Sequence, residues 1–284
     1  MNVRQLISPR SVAVVAGLVG MVSLAIGAHA ALNKRALDAA KAIGTEQAAD
    51  SGKAPSRLAL VIGNGHYPDA ADPLNQPIND ARALTATLRQ SGFDVDVVED
   101  ASKDDMQRAI GRLQSKVKPE SVVMLFFGGY GIQAGRESFM IPVDARIWKE
   151  GDVRREGISV ESVLEGVKEK GAHAKLVVID ASRRNPYERR FRAFSHGLAP
   201  ISAPDNALIL SSATPDQVAH DSRGQYSVLM TELLNNLGDK TGIEAAFNNT
   251  RAAIARSSEG EQVPAISSSL LEDVNLGASE NAGG

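Results

Sequence analysis

Apolar and polar positions along the chain follow two alternating periods from residue 57 onward. Runs at 58–62, 121–127, 175–179 and 207–210, apolar throughout but for the leading Ser121 and Lys175, read as strands buried on both faces, as inner strands of a parallel sheet are. Residues 93–98 alternate instead, as a strand with one wet face does. Between these runs the period lengthens. Ala83, Leu84 and Leu88 share one face of a helix that Asn79 or Asp80 can cap and that reaches Gln90, just before Gly92. Met106, Ile110 and Leu113 mark a second helix, 160–167 a third that ends by Gly171, and 228–237 and 243–254 two more. A short strand is predicted over 139–143, paired near Gly135, and a closing segment over 263–276. Strand and helix in alternation predict an α/β fold: a mainly parallel central sheet with helices on both faces and right-handed crossovers. In such sheets sites form at the carboxyl ends of the strands. Tyr130 follows the strand at 121–127 and Ser182 the strand at 175–179, so the pattern brings both to one edge.

The first 56 residues depart from this pattern. Arg4 and Arg10 form a basic start, 11–27 is an apolar run, and Ala28-His29-Ala30 is a small-x-small cleavage pattern, so residues 1–30 read as an export signal. An uncleaved membrane anchor is the alternative, because the apolar stretch can be extended to Leu32. Residues 31–56, rich in Ala, Lys, Asp and Gly, read as a linker or N-terminal arm with a short helix over 32–43. Residues 57–277 hold the folded domain and 278–284 a disordered tail. Either reading of the leader places the domain outside the cytoplasm, periplasmic or secreted.

Composition narrows the chemistry. The chain has 284 residues, of which 43% are hydrophobic and 23% charged, enough to bury one ample core. A net charge of −3 with mixed signs argues against nucleic acid as a partner. The sequence contains no cysteine, which excludes disulfides, thiolate metal sites and a thiol nucleophile. Gly63-Asn64-Gly65 is too little for a dinucleotide loop, lacking the third glycine and an immediate helix. No cofactor and no metal are expected.

Several stretches, in order, carry a resemblance. They are Leu60-Val61-Ile62-Gly63-Asn64, the Asn79-Asp80-Ala81 that ends 74–81, Phe127-Gly128-Gly129-Tyr130-Gly131, Ile141-Pro142-Val143-Asp144, residues 178–186, Gly197-Leu198-Ala199 and Ser211-Ser212-Ala213. In this series the chain resembles the caspase-like domain of bacteria, the peptidase C14 group of metacaspase or orthocaspase type. The resemblance implies a three-layer α/β/α caspase-like sandwich. It also implies a cysteine endopeptidase site, in which a cysteine thiolate attacks the peptide carbonyl and a histidine handles protons. Tyr130 and Ser182, about 50 residues apart as that histidine and cysteine are, match the two positions. A phenol with a pKa of about 10 is a poor base at neutral pH, and a serine alcohol without a base is a poor nucleophile. The resemblance therefore implies a degenerate dyad and a pseudo-peptidase.

The same resemblance assigns Asp80 and Asp180 to a pocket for Arg or Lys side chains, with Ser212 and Gly128 beside it. A carboxylate pair suits a guanidinium by charge and by fork geometry. The plainer reading makes Asp80 a helix cap and Asp180 a strand-end hydrogen-bonding residue. The expected partner is a peptide or protein carrying Arg or Lys; the oligomeric state is open. The competing function is a serine-type hydrolase in which Ser182 recruits His66, His196 or His220, with Asp80 or Asp180 as the orienting group. Arg183, Arg184, Arg189, Arg190 and Arg192 read as a solvated basic loop. In family members the corresponding linker is a processing site, which implies an exposed segment open to proteases.

Overall fold

A computed structural model describes residues 56–68, 73–184, 186–187, 197–219, 224–238 and 241–276. The stretch read as an export signal, nearly all of the stretch read as an arm, the stretch read as a tail, and His196, His220, Arg189, Arg190 and Arg192 lie outside the described residues. Among the described residues no helix is long and apolar enough to cross a membrane.

Among the described residues nine strands and six helices follow one another: β1 (Arg57–Gly63), α1 (Gln76–Gln90), β2 (Asp94–Glu99), α2 (Lys103–Lys116), β3 (Val122–Gly128), β4 (Gly131–Ala134), β5 (Glu137–Met140), α3 (Glu150–Glu156), β6 (Ile158–Ser159), α4 (Val160–Glu169), β7 (Ala174–Asp180), β8 (Ala207–Ser211), α5 (Val228–Asn236), α6 (Ile243–Ser257) and β9 (Ala265–Ser268). The main sheet runs β2-β1-β3-β7-β8-β9. Its first five strands are parallel and β9 closes the edge antiparallel to β8.

Every residue of β3, β7 and β8 is buried, as the unbroken apolar runs require of inner strands. One face packs on α2 and α4 through Met106, Ile110, Leu113, Val163 and Val167. The other packs on α1, α5 and α6 through Leu84, Leu88, Met230, Leu233 and Phe247. This is the three-layer caspase-type sandwich that the resemblance implies. Edge strand β2 carries Asp94, Asp96 and Glu99, which pair with Lys116, Arg112 and Arg82 at 2.7, 2.8 and 2.6 Å. Such charges discourage another chain from adding to that edge.

Three elements differ from expectation. Helix α1 begins at Gln76, with Asn75 as N-cap residue and a proline in its first turn, so Asn79 and Asp80 lie inside the helix and cap nothing. Pro77 explains the early start, since its fixed φ suits the first helical turn and it has no N–H to leave unpaired. The strand expected over 139–143 ends at Met140 and pairs with β4 across Gly135 and with β6, making a separate three-stranded sheet. Helix α3 was not legible, because among its seven residues only Asp152 and Val153 are buried.

Candidate functional site

Strands β1, β3 and β7 are in register at their carboxyl ends, where Gly63 pairs with Gly128 and Gly128 with Asp180. Tyr130 and Ser182 each stand two residues beyond that last pair. The loops that carry them stay together, because Gly129 N–H donates to Asp180 O at 3.2 Å and Gly131 N–H to Ala181 O at 3.0 Å. Glycine is required here. A Cβ on Gly131 would lie 2.9 Å from Ala181 Cβ and 2.6 Å from Leu198 Cδ2, and would part the two loops. Gly63 does the same for α1: a Cβ there would lie 2.5 Å from Pro77 O and 2.8 Å from Ala81 Cβ. That close approach brings Asp80, the residue before Ala81, to the strand ends.

Asp80 and Asp180 are both sealed from solvent, at 0% and 2% exposure. Asp80 Oδ1 accepts the Ser227 N–H at 3.0 Å, while Asp80 Oδ2 and Asp180 Oδ2 have no hydrogen-bond partner. Burial, and then the nearby Asp180 carboxylate, push the Asp80 carboxyl up to about 7; Ser227 and Arg183 pull the other way. Asp180 Oδ1 faces Arg183 Nη2 at 3.8 Å. Arg183 is itself 6% exposed and donates from Nε to Gly129 O at 3.2 Å, so this residue does not belong to a solvated loop. Its neighbour Arg184 is exposed. Sequence reasoning missed Arg183, although its place three residues after a strand-end Asp was a usable signal.

Ser182 is buried and its Oγ has no hydrogen-bond partner. Its N–H donates to Ser212 Oγ at 3.3 Å, and its carbonyl accepts from Ala219 N–H at 2.7 Å. Ser212 is fully buried and held by its backbone, its N–H on Ile179 O and its carbonyl on Gln262 Nε2. It therefore supports the Ser182 turn rather than either carboxylate. Gly128 also acts through its backbone, its carbonyl accepting the Asn64 N–H at 2.8 Å. His66 is exposed and its Nδ1 lies 2.6 Å from Asp100 Oδ2. Among the described residues no histidine nitrogen reaches Ser182 Oγ, and no cluster of His, Asp and Glu forms a metal-binding group.

Tyr130 is packed within a small apolar cluster with Tyr67, Ile132, Phe139, Ile141 and Tyr187. Its ring meets Tyr67 edge-on with centroids 4.8 Å apart. The Tyr67 hydroxyl accepts the Tyr130 N–H at 3.0 Å and donates to Ile141 O at 2.9 Å, a second contribution that the sequence did not reveal. Desolvation raises the Tyr67 phenol pKa far above its usual value. Beside the site a groove of about 270 Å³ opens along β8 and β9, lined by Leu198, Pro200, Ile201, Ile209, Ala213 and Ile266 among others. It does not contain Asp80, Asp180 or Ser182, though Leu198 touches the Gly131 turn and Ala213 follows Ser212.

A family model described as caspase domain, peptidase C14, matches residues 56–275. Human mucosa-associated lymphoid tissue lymphoma translocation protein 1 is 30% identical over 145 residues, which cover 50% of this chain and 17% of that protein. Its mouse homologue is 30% identical over 137 residues, covering 48% and 16%. The match thus spans about a sixth of these relatives' length. Among solved structures, caspase-1 from Spodoptera frugiperda superposes with a TM-score of 0.60 at 15% identity, covering 80% of this chain and 92% of that one, a likeness of fold alone. With the family model spanning the whole sheet and every residue of the site, the chain belongs to the caspase-domain, peptidase C14, family.

Proposed function

We propose that this chain is a caspase-fold protein without cysteine peptidase chemistry, a pseudo-peptidase that binds an Arg- or Lys-bearing peptide or protein segment through the former substrate cleft. On this reading Tyr130 and Ser182 stand where active members carry histidine and cysteine. The observation that carries it is the state of Ser182 Oγ: buried, with no base in hydrogen-bond reach among the described residues, in a chain with no cysteine. General acid-base catalysis contributes about 10²–10⁴-fold, and a nucleophile without its base forfeits that share. Of the histidines weighed for the serine-hydrolase alternative, His66 is engaged with Asp100, while His196 and His220 lie outside the described residues.

Binding is supported by Asp80 Oδ2 and Asp180 Oδ2, buried acceptors with no partner, whose burial costs free energy until a donor reaches them. A guanidinium supplies donors in the required fork. The groove along β8 and β9 offers an apolar path for flanking residues. On the same reading residues 1–30 are an export signal, 31–56 an arm, 57–277 the caspase-like domain and 278–284 a tail, and the domain works outside the cytoplasm. The test is calorimetric titration with an Arg-containing peptide and its Ala-substituted counterpart. The Arg peptide binds more tightly and loses about ten-fold or more on Asp180→Asn, the scale of a charge-assisted bidentate contact. Equal affinities for the two peptides contradict the proposal.

A further inference from the structure

Among the described residues Arg183 is the one charged side chain that forms an ion pair with either carboxylate, and it comes from the chain itself. A buried arginine is uncommon and needs partners to stay buried. Arg183 turns inward directly after Ser182, while Arg184 turns to solvent. Its Nε is fixed on Gly129 O at 3.2 Å, on the Tyr130 loop, and its Nη2 stops 3.8 Å from Asp180 Oδ1. Its positive charge also reaches Asp80 and Tyr67, so the guanidinium lies among all four groups.

The fit is incomplete. A well-formed guanidinium–carboxylate fork has two N–H···O contacts of about 2.7–2.9 Å. At 3.8 Å the contact with Asp180 falls short of a hydrogen bond, and the Oδ2 atoms of Asp80 and Asp180 stay unpartnered. An external guanidinium able to approach squarely gains bonds to the carboxylates that Arg183 does not make, but two cations beside the same buried carboxylates repel one another strongly.

We propose that Arg183 is an intramolecular competitor for the carboxylate pair, so that an external Arg or Lys side chain enters only as Arg183 swings out toward solvent beside Arg184. The inference rests on the reading of Asp80 and Asp180 as a basic-side-chain pocket and adds what controls entry to it. Arg183 thereby sets the selectivity of the site: a lone small cation displaces it only at high concentration, while a ligand that also fills the neighbouring groove gains enough binding to displace the resident side chain readily.

The experiment is calorimetric titration of the full chain with agmatine, a small guanidinium probe, in the wild type and in Arg183→Gln, which keeps an N–H donor at the place of Nε but loses the charged guanidinium end. Agmatine binds Arg183→Gln at least ten-fold more tightly than wild type, and Asp180→Asn in that background removes the gain. Affinities within two-fold of each other, both lowered by Asp180→Asn, overturn the inference and leave the pocket standing. Binding to neither protein overturns both. Should Arg183→Gln fail to fold, the Arg183 Nε–H resonance of ¹⁵N-labelled wild type decides. On saturation with unlabelled agmatine it moves to the position of free arginines, and a resonance that stays in place overturns the inference.

Discussion

Asp80 in α1 and Ser227 at the head of α5 are joined across 147 residues of sequence by a 3.0 Å hydrogen bond from the Ser227 N–H to Asp80 Oδ1. Ser227 Oγ in turn accepts the Met230 N–H and caps α5. One carboxylate oxygen of Asp80 therefore has a structural duty, and the other is buried without a hydrogen-bond partner. The duty explains why a buried acid is tolerated; the unpartnered oxygen explains why it is costly.

The first prediction concerns pH. The Asp80 carboxyl is raised from its ordinary 3.8 to about 7 in the folded chain by burial and by Asp180. The associated stability is fully present below about pH 4 and falls as pH rises to about 7, because the unfolded chain releases this proton first. Asp80→Asn keeps the acceptor for Ser227 and removes the titration. Urea unfolding at several pH values shows the variant gaining on wild type between pH 4 and 7, by up to a few kcal/mol. Parallel curves contradict the assignment.

Tyr67 gives a prediction about the tyrosine slot. Tyr67→Phe keeps the edge-on contact with Tyr130 but leaves the Tyr130 N–H and the Ile141 carbonyl without the hydroxyl that joins them. An unsatisfied buried group costs about 1–3 kcal/mol, and the midpoint of urea unfolding falls accordingly. An unchanged midpoint shows that the hydroxyl does not hold the loop.

If only the chemistry is absent, the scaffold accepts its return. Tyr130→His combined with Ser182→Cys folds, at a cost on the order of 1–3 kcal/mol for the smaller ring at position 130, and cleaves slowly after Arg or Lys. Each single variant is silent in a fluorogenic peptide assay, because nucleophile and base act as a unit. Cleavage after Asp contradicts the placement of the pocket.

Much of the sheet was legible because inner strands leave a simple trace. Val122 to Gly128 and Ala174 to Asp180 are buried at every position and nearly all apolar in sequence, and two parallel neighbours ending together put Tyr130 beside Ser182. Local signals misled where tertiary context decides. Asn79 and Asp80 look like caps, yet Pro77 starts the helix earlier and Asp80 serves a residue 147 positions away. Strand β4 and helix α3 are four and seven residues long, too short for a period to declare itself. Arg183 was hidden by the arginines that follow it, since composition does not tell which member of a basic run turns inward. Tyr67 and Ser212 act through backbone partners that no pattern of side chains encodes.

The most direct test of the proposed loss of peptidase chemistry is turnover by the purified chain of peptide libraries presenting Arg, Lys or Asp at the cleavage position, with and without calcium. With Ser182 Oγ buried and no base beside it among the described residues, no cleavage above the uncatalysed background is predicted under any condition. Turnover that disappears on Ser182→Ala and is untouched by thiol reagents would contradict the account and identify a serine hydrolase.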